Sequence, residues 1–454
     1  MFPQELDTIL LEAIPIIHRF LRRIGSYPFQ NDPDKLLTPR ILSAGIFRSF
    51  DFCEFDDRNI TYDSQNRLYF QSMASMPSKK PDQDKCLRDE ADDEDLIHAL
   101  AVIRGARRKP GAPKVRIRGP VQPPPSYFRP PWSRNMEQLV PTCEFRAFLR
   151  LMVVLNLYDT GIDAREFASY RPQTEGVTDC LLAAFRPGPN GISWDGFGQV
   201  VHEFVFPSLF IGLHRLFDPL VYKESSSQDK YPSLMEEIQT VLKTAFIPSL
   251  RDVPSLGSIC TLPILSQLGI ILPHELPLRG LFLDLSVRHD QINPEEIKAR
   301  IDKMEVLTVF LVSGNSPTGR VKFGFFHANH NLHGDLDIVA NTLLFQLEPI
   351  HRVFYLPCLK TRDFSIQAHS DDNEKSESAL MASVSWKRER KDHIKSTTAM
   401  IDWLALEQDA MSLVVSEDGL GRFTVQTEEH TIEERFSVDA VELLGCVHPA
   451  FVES

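Results

Sequence analysis

Two apolar runs joined by a turn rich in glycine and proline constrain the fold of this chain more than any other feature. The first run, residues 306–312, is mostly β-branched and aromatic, as expected of a buried strand. Gly314, Pro317 and Gly319 then supply residues that favour a turn. Apolar side chains alternate with polar or small ones over residues 320–325, which is typical of a strand with one buried face. The sequence therefore predicts a β-hairpin that begins a layered β domain.

This hairpin and the apolar runs around it resemble the TLDc domain. The second hairpin strand contains Phe-Gly-Phe-Phe at 323–326, a further strand reads LLFQLEP at 343–349, and a terminal strand covers 436–444, in the order found in that family. Residues 278–301 resemble the start of the family's domain, where a short helix precedes the first core strand. The resemblance covers residues 273–449 and implies an α+β protein whose C-terminal part is a two-layer antiparallel β-sandwich with flanking helices.

The resemblance also marks three positions as relevant to interactions: Gly324, Phe345 and Glu442. Glu442 lies between Val441 and Leu443 and matches the one acidic residue of the family's terminal strand. Two interpretations stay open for it. It is either a residue on which the family's activity depends, or an outward-facing strand residue paired with a lysine or arginine.

Composition along the chain predicts four segments. Residues 1–75 read as an N-terminal helical segment, and residues 76–135 carry an acidic block, a basic block and many prolines, which is typical of a flexible linker. Residues 136–260 read as a helical domain. Residues 261–454 form the TLDc-like domain, which we expect to be interrupted by a hydrophilic surface insertion near 366–395.

The helical middle region is similar to the EF-hand-like region that precedes TLDc in fungal proteins of the restriction-of-telomere-capping type. The local basis is Ser193, Trp194, Asp195 and Phe197. An EF-hand loop aligned on its hydrophobic position would place phenylalanine at position one and glycine at position twelve, in residues 185–196. Neither residue can ligate calcium. We therefore expect a degenerate module that binds no metal.

The net charge and the cysteine content indicate which partners and which cellular compartment to expect. The net charge of −13 argues against a nucleic-acid-binding protein, because phosphate contacts need a concentrated basic surface. Seven scattered cysteines with no CxxC pair are expected in a reducing compartment. The N-terminal run has no basic n-region, Phe2 excludes N-myristoylation, and no apolar run is long enough to span a bilayer. We expect a cytoplasmic protein that reaches the vacuolar membrane only peripherally, through a partner.

Catalytic motifs are absent from the sequence, which contains no nucleophile elbow, P-loop or dinucleotide fingerprint. His327, His330 and His333 are spaced in a way that could meet a zinc or iron ion, but solvated loop histidines are the simpler interpretation. Cys358 follows a proline near two basic residues, and a strand-end thiol is again the simpler interpretation. We predict no catalytic, cofactor or metal site, and no enzymatic activity.

The resemblance implies an adaptor or regulator. TLDc proteins resemble one another in binding the vacuolar-type proton ATPase and influencing its assembly, and some are linked to oxidative-stress resistance. Two alternatives remain open. One is an antioxidant or metal-dependent enzyme that uses the histidine loop or Cys358, and the other is a signalling scaffold associated with the vacuole or lysosome.

Overall fold

The computed structural model describes residues 4–26, 37–38, 41–42, 45–46, 62–75, 138–156, 170–201, 209–210, 212–213, 257–272, 281–304, 307–328, 343–355, 362–369, 379–386, 408–427 and 431–446. The chain divides into two compact units. The first comprises Met1–Leu155 and Phe185–Ala245, and the second comprises Asn156–Ala184 and Phe246–Ser454.

The helices of the first unit are α1 (Gln4–Ser26), α2 (Tyr62–Met73), α3 (Thr142–Leu155) and α5 (Trp194–Val200). Helix α1 continues through Pro15 and buries one apolar stripe. Helix α3 is buried over most of its circumference, as its nearly continuous apolar sequence predicts. Helix α5 begins after Ser193, whose hydroxyl accepts a hydrogen bond from the Gly196 backbone at 3.2 Å, a standard N-cap.

Aromatic side chains and one short bridge hold this unit together. The ring centroids of Phe145 and Phe185 lie 4.8 Å apart in an edge-to-face arrangement. Val140, just before α3, and Ile192, just before α5, form an antiparallel bridge with two backbone hydrogen bonds of 3.0 and 2.9 Å. The starts of the two helices are thereby fixed side by side.

Arg23 of α1 closes the C-terminal end of α2. Its guanidinium donates hydrogen bonds to the carbonyl oxygen atoms of Gln71, at 2.8 Å, and Ala74. The last carbonyl groups of a helix have no partner within the helix, so a buried arginine that reaches two of them caps it. Burial, and after it the neighbouring Arg19 and Arg22, lower the pKa of Arg23 to about 9.

An antiparallel sheet forms the core of the second unit. Its strands are β1 (Leu281–Arg288), β2 (Leu307–Ser316), β3 (Gly319–Ala328), β4 (Leu343–Glu348), β5 (Arg352–Tyr355), β6 (Arg362–His369), β7 (Ala379–Trp386), β8 (Gln408–Ser416), β9 (Leu420–Thr427) and β10 (Thr431–Cys446). The strand order is β5-β4-β3-β2-β10-β9-β8-β7-β6, and β1 pairs with β10. Helices α4 (Arg171–Ala184), α6 (Leu262–Ile271) and α7 (Pro294–Lys303) accompany the sheet.

Strand β10 joins the two halves of this sheet. Its first part pairs with β9, and its second part, from Ser437 onward, lies between β1 and β2. A register shift between Val438 and Ala440 marks a β-bulge at that change of partners. The bulge changes which side chains of β10 face away from the core. Odd-numbered residues face outward before the bulge, and even-numbered residues face outward after it.

The two halves of the sheet face each other across one hydrophobic core. The Phe323 and Phe423 rings stack with centroids 4.5 Å apart, although their strands β3 and β9 are not neighbours in the sheet. Ile297 and Ile301 of α7 belong to the same buried cluster. The chain thus combines helices with a C-terminal antiparallel sheet, and the predicted α+β class is confirmed at that level.

The predicted hairpin is confirmed as β2 and β3, with one difference. Gly314 lies within β2 and not in the turn. A Cβ atom there would lie 2.1 Å from the Ser437 carbonyl oxygen, so this glycine permits the close approach of β10. Gly319, with φ of +132°, is the glycine that the turn requires.

The expected surface insertion near 366–395 is wrong for its described part. Strands β6 and β7 occupy Arg362–His369 and Ala379–Trp386, and Leu380 and Ala382 are buried in the core. Only alternate residues of β6 are apolar, so that strand is hydrophilic on average although one set of its residues is not.

Several other expectations lie beyond the described residues. The proposed linker at 76–135 is among them, and the division into four segments stays a prediction. Within the part of the chain that the structure describes, no helix is long and apolar enough to cross a membrane.

Candidate functional site

The three residues that the sequence marks for interactions lie in one row across the sheet. In register, Glu442 of β10 pairs with Leu311 of β2, Leu311 pairs with Gly324 of β3, and Gly324 pairs with Phe345 of β4. Residues directly opposite each other project to the same face. The row also extends to Ser286 of β1. Residues far apart in the sequence therefore share one stripe on the outer face of this half-sheet.

Glu442 is completely buried and is held by four hydrogen-bond donors. Its Oε1 atom accepts bonds from the Ser258 hydroxyl at 3.0 Å, the Ile259 backbone N–H at 2.9 Å and the Ser286 hydroxyl at 3.2 Å. Its Oε2 atom accepts a bond from the Cys260 backbone N–H at 2.8 Å. Hydrogen bonds to an ionised group are about twice as strong as neutral ones, and here several converge on one carboxylate.

The segment that surrounds Glu442 leads directly into α6. We call residues 257–260 the Glu442 clasp. A Cβ atom at Gly257 would lie 2.2 Å from the Glu442 Oε1 atom, so only glycine allows the clasp to close this tightly. Helix α6 begins after Thr261 and has Pro263 in its first turn, where the missing N–H carries no penalty.

Helix α6 is fixed at a second point, above β4. The Gln267 side-chain amide donates to the Leu347 carbonyl oxygen at 2.9 Å and lies 2.8 Å from His351 Nδ1. Because the amide nitrogen is the donor in both contacts, His351 accepts through Nδ1 and carries its proton on Nε2. The helix therefore spans the outer face from β10 to β4. Nearly all of its residues are buried, from Leu262 to Ile271.

Gly324 and Phe345 form the far part of the row. A Cβ atom on Gly324 would lie 2.6 Å from the Phe345 ring and 2.3 Å from the Phe310 carbonyl oxygen. The glycine thus makes room for the aromatic ring on the neighbouring strand. Both residues are buried, as Glu442 is. Because all three residues are buried, none of them is positioned to touch a partner directly.

Glu442 does lie on the outer face of its strand, but the expected pairing with a lysine or arginine is wrong. Its partners are backbone N–H groups and serine hydroxyls. Sequence reasoning did not identify the Glu442 clasp or Ser286. The available signal was a glycine followed by small residues immediately before an apolar helix with proline in its first turn.

A second polar cluster surrounds the turn between β4 and β5. The His351 backbone N–H donates to the Cys180 carbonyl oxygen at 3.0 Å, which ties α4 to this turn. Lys322 and Glu348 form an ion pair at 2.9 Å beside it. Burial lowers the pKa of His351 to about 3, so the imidazole is neutral. Burial, and then Glu348, raise the pKa of Cys180 to about 12. This cluster holds a protonated thiol and a neutral imidazole.

The thiol beside Glu442 is also held in its protonated form. Burial first, and the Glu442 carboxylate second, raise the pKa of Cys260 far above its ordinary value. The thiolate is the reactive form of cysteine. Cys260 therefore contributes to the clasp through its backbone N–H group, and its protonated thiol is a poor nucleophile.

Most of the predicted histidine loop, and Cys358, lie outside the residues that the structure describes. His327 lies near the end of β3, half-buried and opposite Thr308, whereas His330, His333 and Cys358 lie outside the described residues. Among the residues that the structure does describe, no group of three or more histidine, cysteine, aspartate or glutamate side chains could hold a metal ion.

Comparison with known proteins identifies relatives of one name. No family model matches the chain. It is similar to "Restriction of telomere capping protein 5" of Neurospora crassa, with 23% identity over 357 residues, which is 68% of this chain and 58% of the relative. The proteins of the same name from Colletotrichum graminicola and Fusarium vanettenii are 25% and 24% identical over 48% and 47% of this chain. In these two, the match spans 41% and 40% of the relative.

The chain thus spans between two-fifths and three-fifths of the length of the curated relatives that it matches. Three relatives from different fungi carry the same name. These similarities support a relationship to the family of restriction of telomere capping proteins.

Proposed function

We propose that this chain is a non-enzymatic adaptor of the TLDc type that binds the vacuolar-type proton ATPase and influences its assembly. By its relatives' name, we connect this role with restriction of telomere capping, and by the TLDc resemblance with oxidative-stress resistance. The observation that carries the proposal is the Glu442 clasp. Glu442, which matches the one acidic residue of the family's terminal-strand motif, positions a helix, and no bound reactant could reach its carboxylate while the clasp is closed.

The buried thiols and the buried imidazole of the second unit point the same way. Cys260 and the thiol of Cys180 have raised pKa values, and the His351 imidazole is neutral and buried. A general base or a nucleophile needs a pKa matched to its task and access to the substrate. These groups have neither, which favours an interaction role over catalysis.

We further propose that the helical unit is a degenerate EF-hand-like domain that binds no calcium. The supporting feature is the antiparallel bridge between Val140 and Ile192, each directly followed by a helix. The residues at the two ends of the candidate loop at 185–196 are Phe185, which is fully buried, and Gly196, and neither offers a side-chain oxygen atom. Such a unit would act as a protein scaffold.

The test is affinity capture of proton-pump subunits by the full chain from detergent-solubilised vacuolar membranes, read by mass spectrometry. We expect recovery of catalytic-sector subunits with the wild-type chain and with the exposed control variant Glu295→Gln. We expect markedly lower recovery with Glu442→Gln, because this change loosens α6. A wild-type chain that is folded and recovers no pump subunit would refute binding to the pump.

The same experiment separates the alternatives. Membrane association that persists without pump subunits would favour a vacuole-associated scaffold. Peroxidase or hydrolase activity that disappears in a triple alanine variant of His327, His330 and His333, or in Cys358→Ala, would favour an enzyme.

A further inference from the structure

The outer faces of the two half-sheets differ in how they are covered. The half containing Glu442 lies beneath α6. The other half presents outward the alternate residues of β8, β9 and the first part of β10, because their neighbours Leu413, Phe423 and Phe436 point into the core. We call the outward set the arginine face; its residues are Ser412, Val414, Leu420, Arg422, Thr424, Glu433, Arg435 and Ser437.

Several members of the arginine face are strongly exposed. Leu420 is 58% exposed, and the Arg435 side chain is 77% exposed. Large apolar side chains with this much exposure are few among the described residues of the second unit. The described residues therefore leave Leu420 and Arg435 on this face accessible to solvent.

Two arginines lie directly opposite each other on this face. Arg422 of β9 pairs in register with Arg435 of β10. Side chains in such positions have Cβ atoms about 5 Å apart, and like charges there are destabilising. Arg435 has Glu433 as an ion-pair partner on its own strand. The Arg422 guanidinium makes no ion pair or hydrogen bond with another described residue, so the repulsion is only partly offset within the chain.

The chemistry around the two arginines selects the kind of ligand. Guanidinium groups bind carboxylates through paired hydrogen bonds. Val414 is the neighbour of Arg422 in register, and Leu420 lies two residues away on the same face, so apolar contacts adjoin the charges. A long polyanion or an anionic membrane would also meet the acidic Asp418 and Asp439 nearby and the net charge of −13. A short acidic segment of a protein would avoid most of that repulsion.

We propose that the arginine face is a docking surface for a short acidic segment of a partner protein. Carboxylates of that segment pair with Arg422 and Arg435, and an apolar side chain of the segment packs on Leu420. This inference rests on the proposed adaptor function, to which it adds the surface and the chemistry of the partner.

The test uses the full chain and a fluorescein-labelled acidic peptide built from glutamate, leucine and serine, with binding followed by fluorescence anisotropy. A matched peptide with lysine in place of glutamate is the negative probe. We expect the acidic peptide to bind more tightly at low salt and the lysine peptide not to bind. Arg422→Glu should weaken binding by roughly ten-fold or more, since one charge-assisted pair is lost and a repulsive one is gained.

The control variant is Arg288→Glu, which reverses an exposed arginine on β1. It should leave peptide binding unchanged. Arg422→Glu should keep or raise the melting temperature, because it replaces a like-charge pair with Arg435 by an opposite-charge pair. Weaker binding by a variant that is at least as stable as the wild type cannot be attributed to unfolding.

Several outcomes would overturn the inference. They are no binding of the acidic peptide by the wild-type chain, equal weakening by Arg288→Glu, or binding that Arg422→Glu leaves unchanged. Competition by vesicles containing phosphatidylserine through the same arginines would assign the surface to membranes instead. None of these results depends on proton-pump capture, so failure of this inference is distinguishable from failure of the proposed function.

Discussion

Replacing Glu442 by glutamine changes one oxygen atom of the carboxylate to an NH₂ group and removes the charge. The best orientation keeps the amide oxygen at the Oε1 position, where Ser258, Ile259 and Ser286 donate. The NH₂ group then faces the backbone N–H of Cys260, and two donors oppose each other. The clasp loses one charge-assisted hydrogen bond and leaves a buried N–H group without an acceptor.

The magnitude follows from these two losses. A hydrogen bond to a charged group contributes about 1.5–3 kcal/mol, and an unsatisfied buried donor costs about 1–3 kcal/mol. Allowing for some relaxation of the clasp, we expect Glu442→Gln to lower the free energy of unfolding by about 3–5 kcal/mol. For a unit of this size, each kcal/mol corresponds to about 2–4 °C, so the melting temperature should fall by about 6–20 °C.

Differential scanning calorimetry of the full chain measures this shift, with Glu295→Gln as the exposed control. The control should remain within about 0.5 kcal/mol of the wild type, as surface substitutions usually do. A Glu442→Gln variant that melts within about 2 °C of the wild type would show that the clasp does not depend on the carboxylate, since the smallest expected shift is about 6 °C. Hydrogen exchange should place the loss of protection in α6.

Three further predictions concern other parts of the second unit. Gly324→Ala should destabilise the chain by about 1–3 kcal/mol or more, because its Cβ would meet the Phe310 carbonyl group and the neighbouring Phe345 ring. Gly176→Ala, with open space around it in α4, should stabilise the chain by about 0.5–1 kcal/mol. Chemical denaturation measures both changes in the free energy of unfolding. His351 stays neutral in the fold down to pH about 3, while the unfolded state takes up the proton below pH about 6.5. The free energy of unfolding should therefore fall by about 1.4 kcal/mol per pH unit as the pH decreases between those values, and His351→Gln should lose that part of the slope. Iodoacetamide at pH 8 should label the exposed Cys143 well before Cys180, as peptide mass spectrometry would show. With a pKa of about 12, only about 1 in 10,000 Cys180 side chains is a thiolate at that pH. Equal labelling rates would contradict the burial of Cys180.

The hairpin β2–β3 could be predicted because its signal is local. Apolar runs, alternation and turn residues all lie within about twenty positions, and each agrees with the same structure. The terminal strand β10 and the buried helix α3 have the same property. The type of each element follows from residues that are its own neighbours in sequence.

The environment of Glu442 could not be predicted, because its partners are more than 150 residues away in the sequence. All four of its hydrogen bonds come from a backbone N–H group or a serine hydroxyl, and such groups carry no sequence signature. Strand β1 was missed although Leu283, Leu285 and Val287 alternate with polar residues, as in a strand with one buried face. Strand β6 was missed because polar residues alternate with its few apolar ones and lower its average hydropathy.

Strand β10 has a consequence for synthesis of the protein. The ribosome releases this strand after every other described element, yet β1, β2 and β9 all depend on it for their hydrogen-bonding partners. Until Thr431–Cys446 emerges, these three strands present unpaired edges, which are templates for association with other chains. A premature stop codon or a proteolytic cut before Thr431 would therefore yield a fragment with three open edges. We expect such fragments to be removed by quality control or to aggregate, and frameshifts late in the coding sequence to behave as complete losses of the second unit.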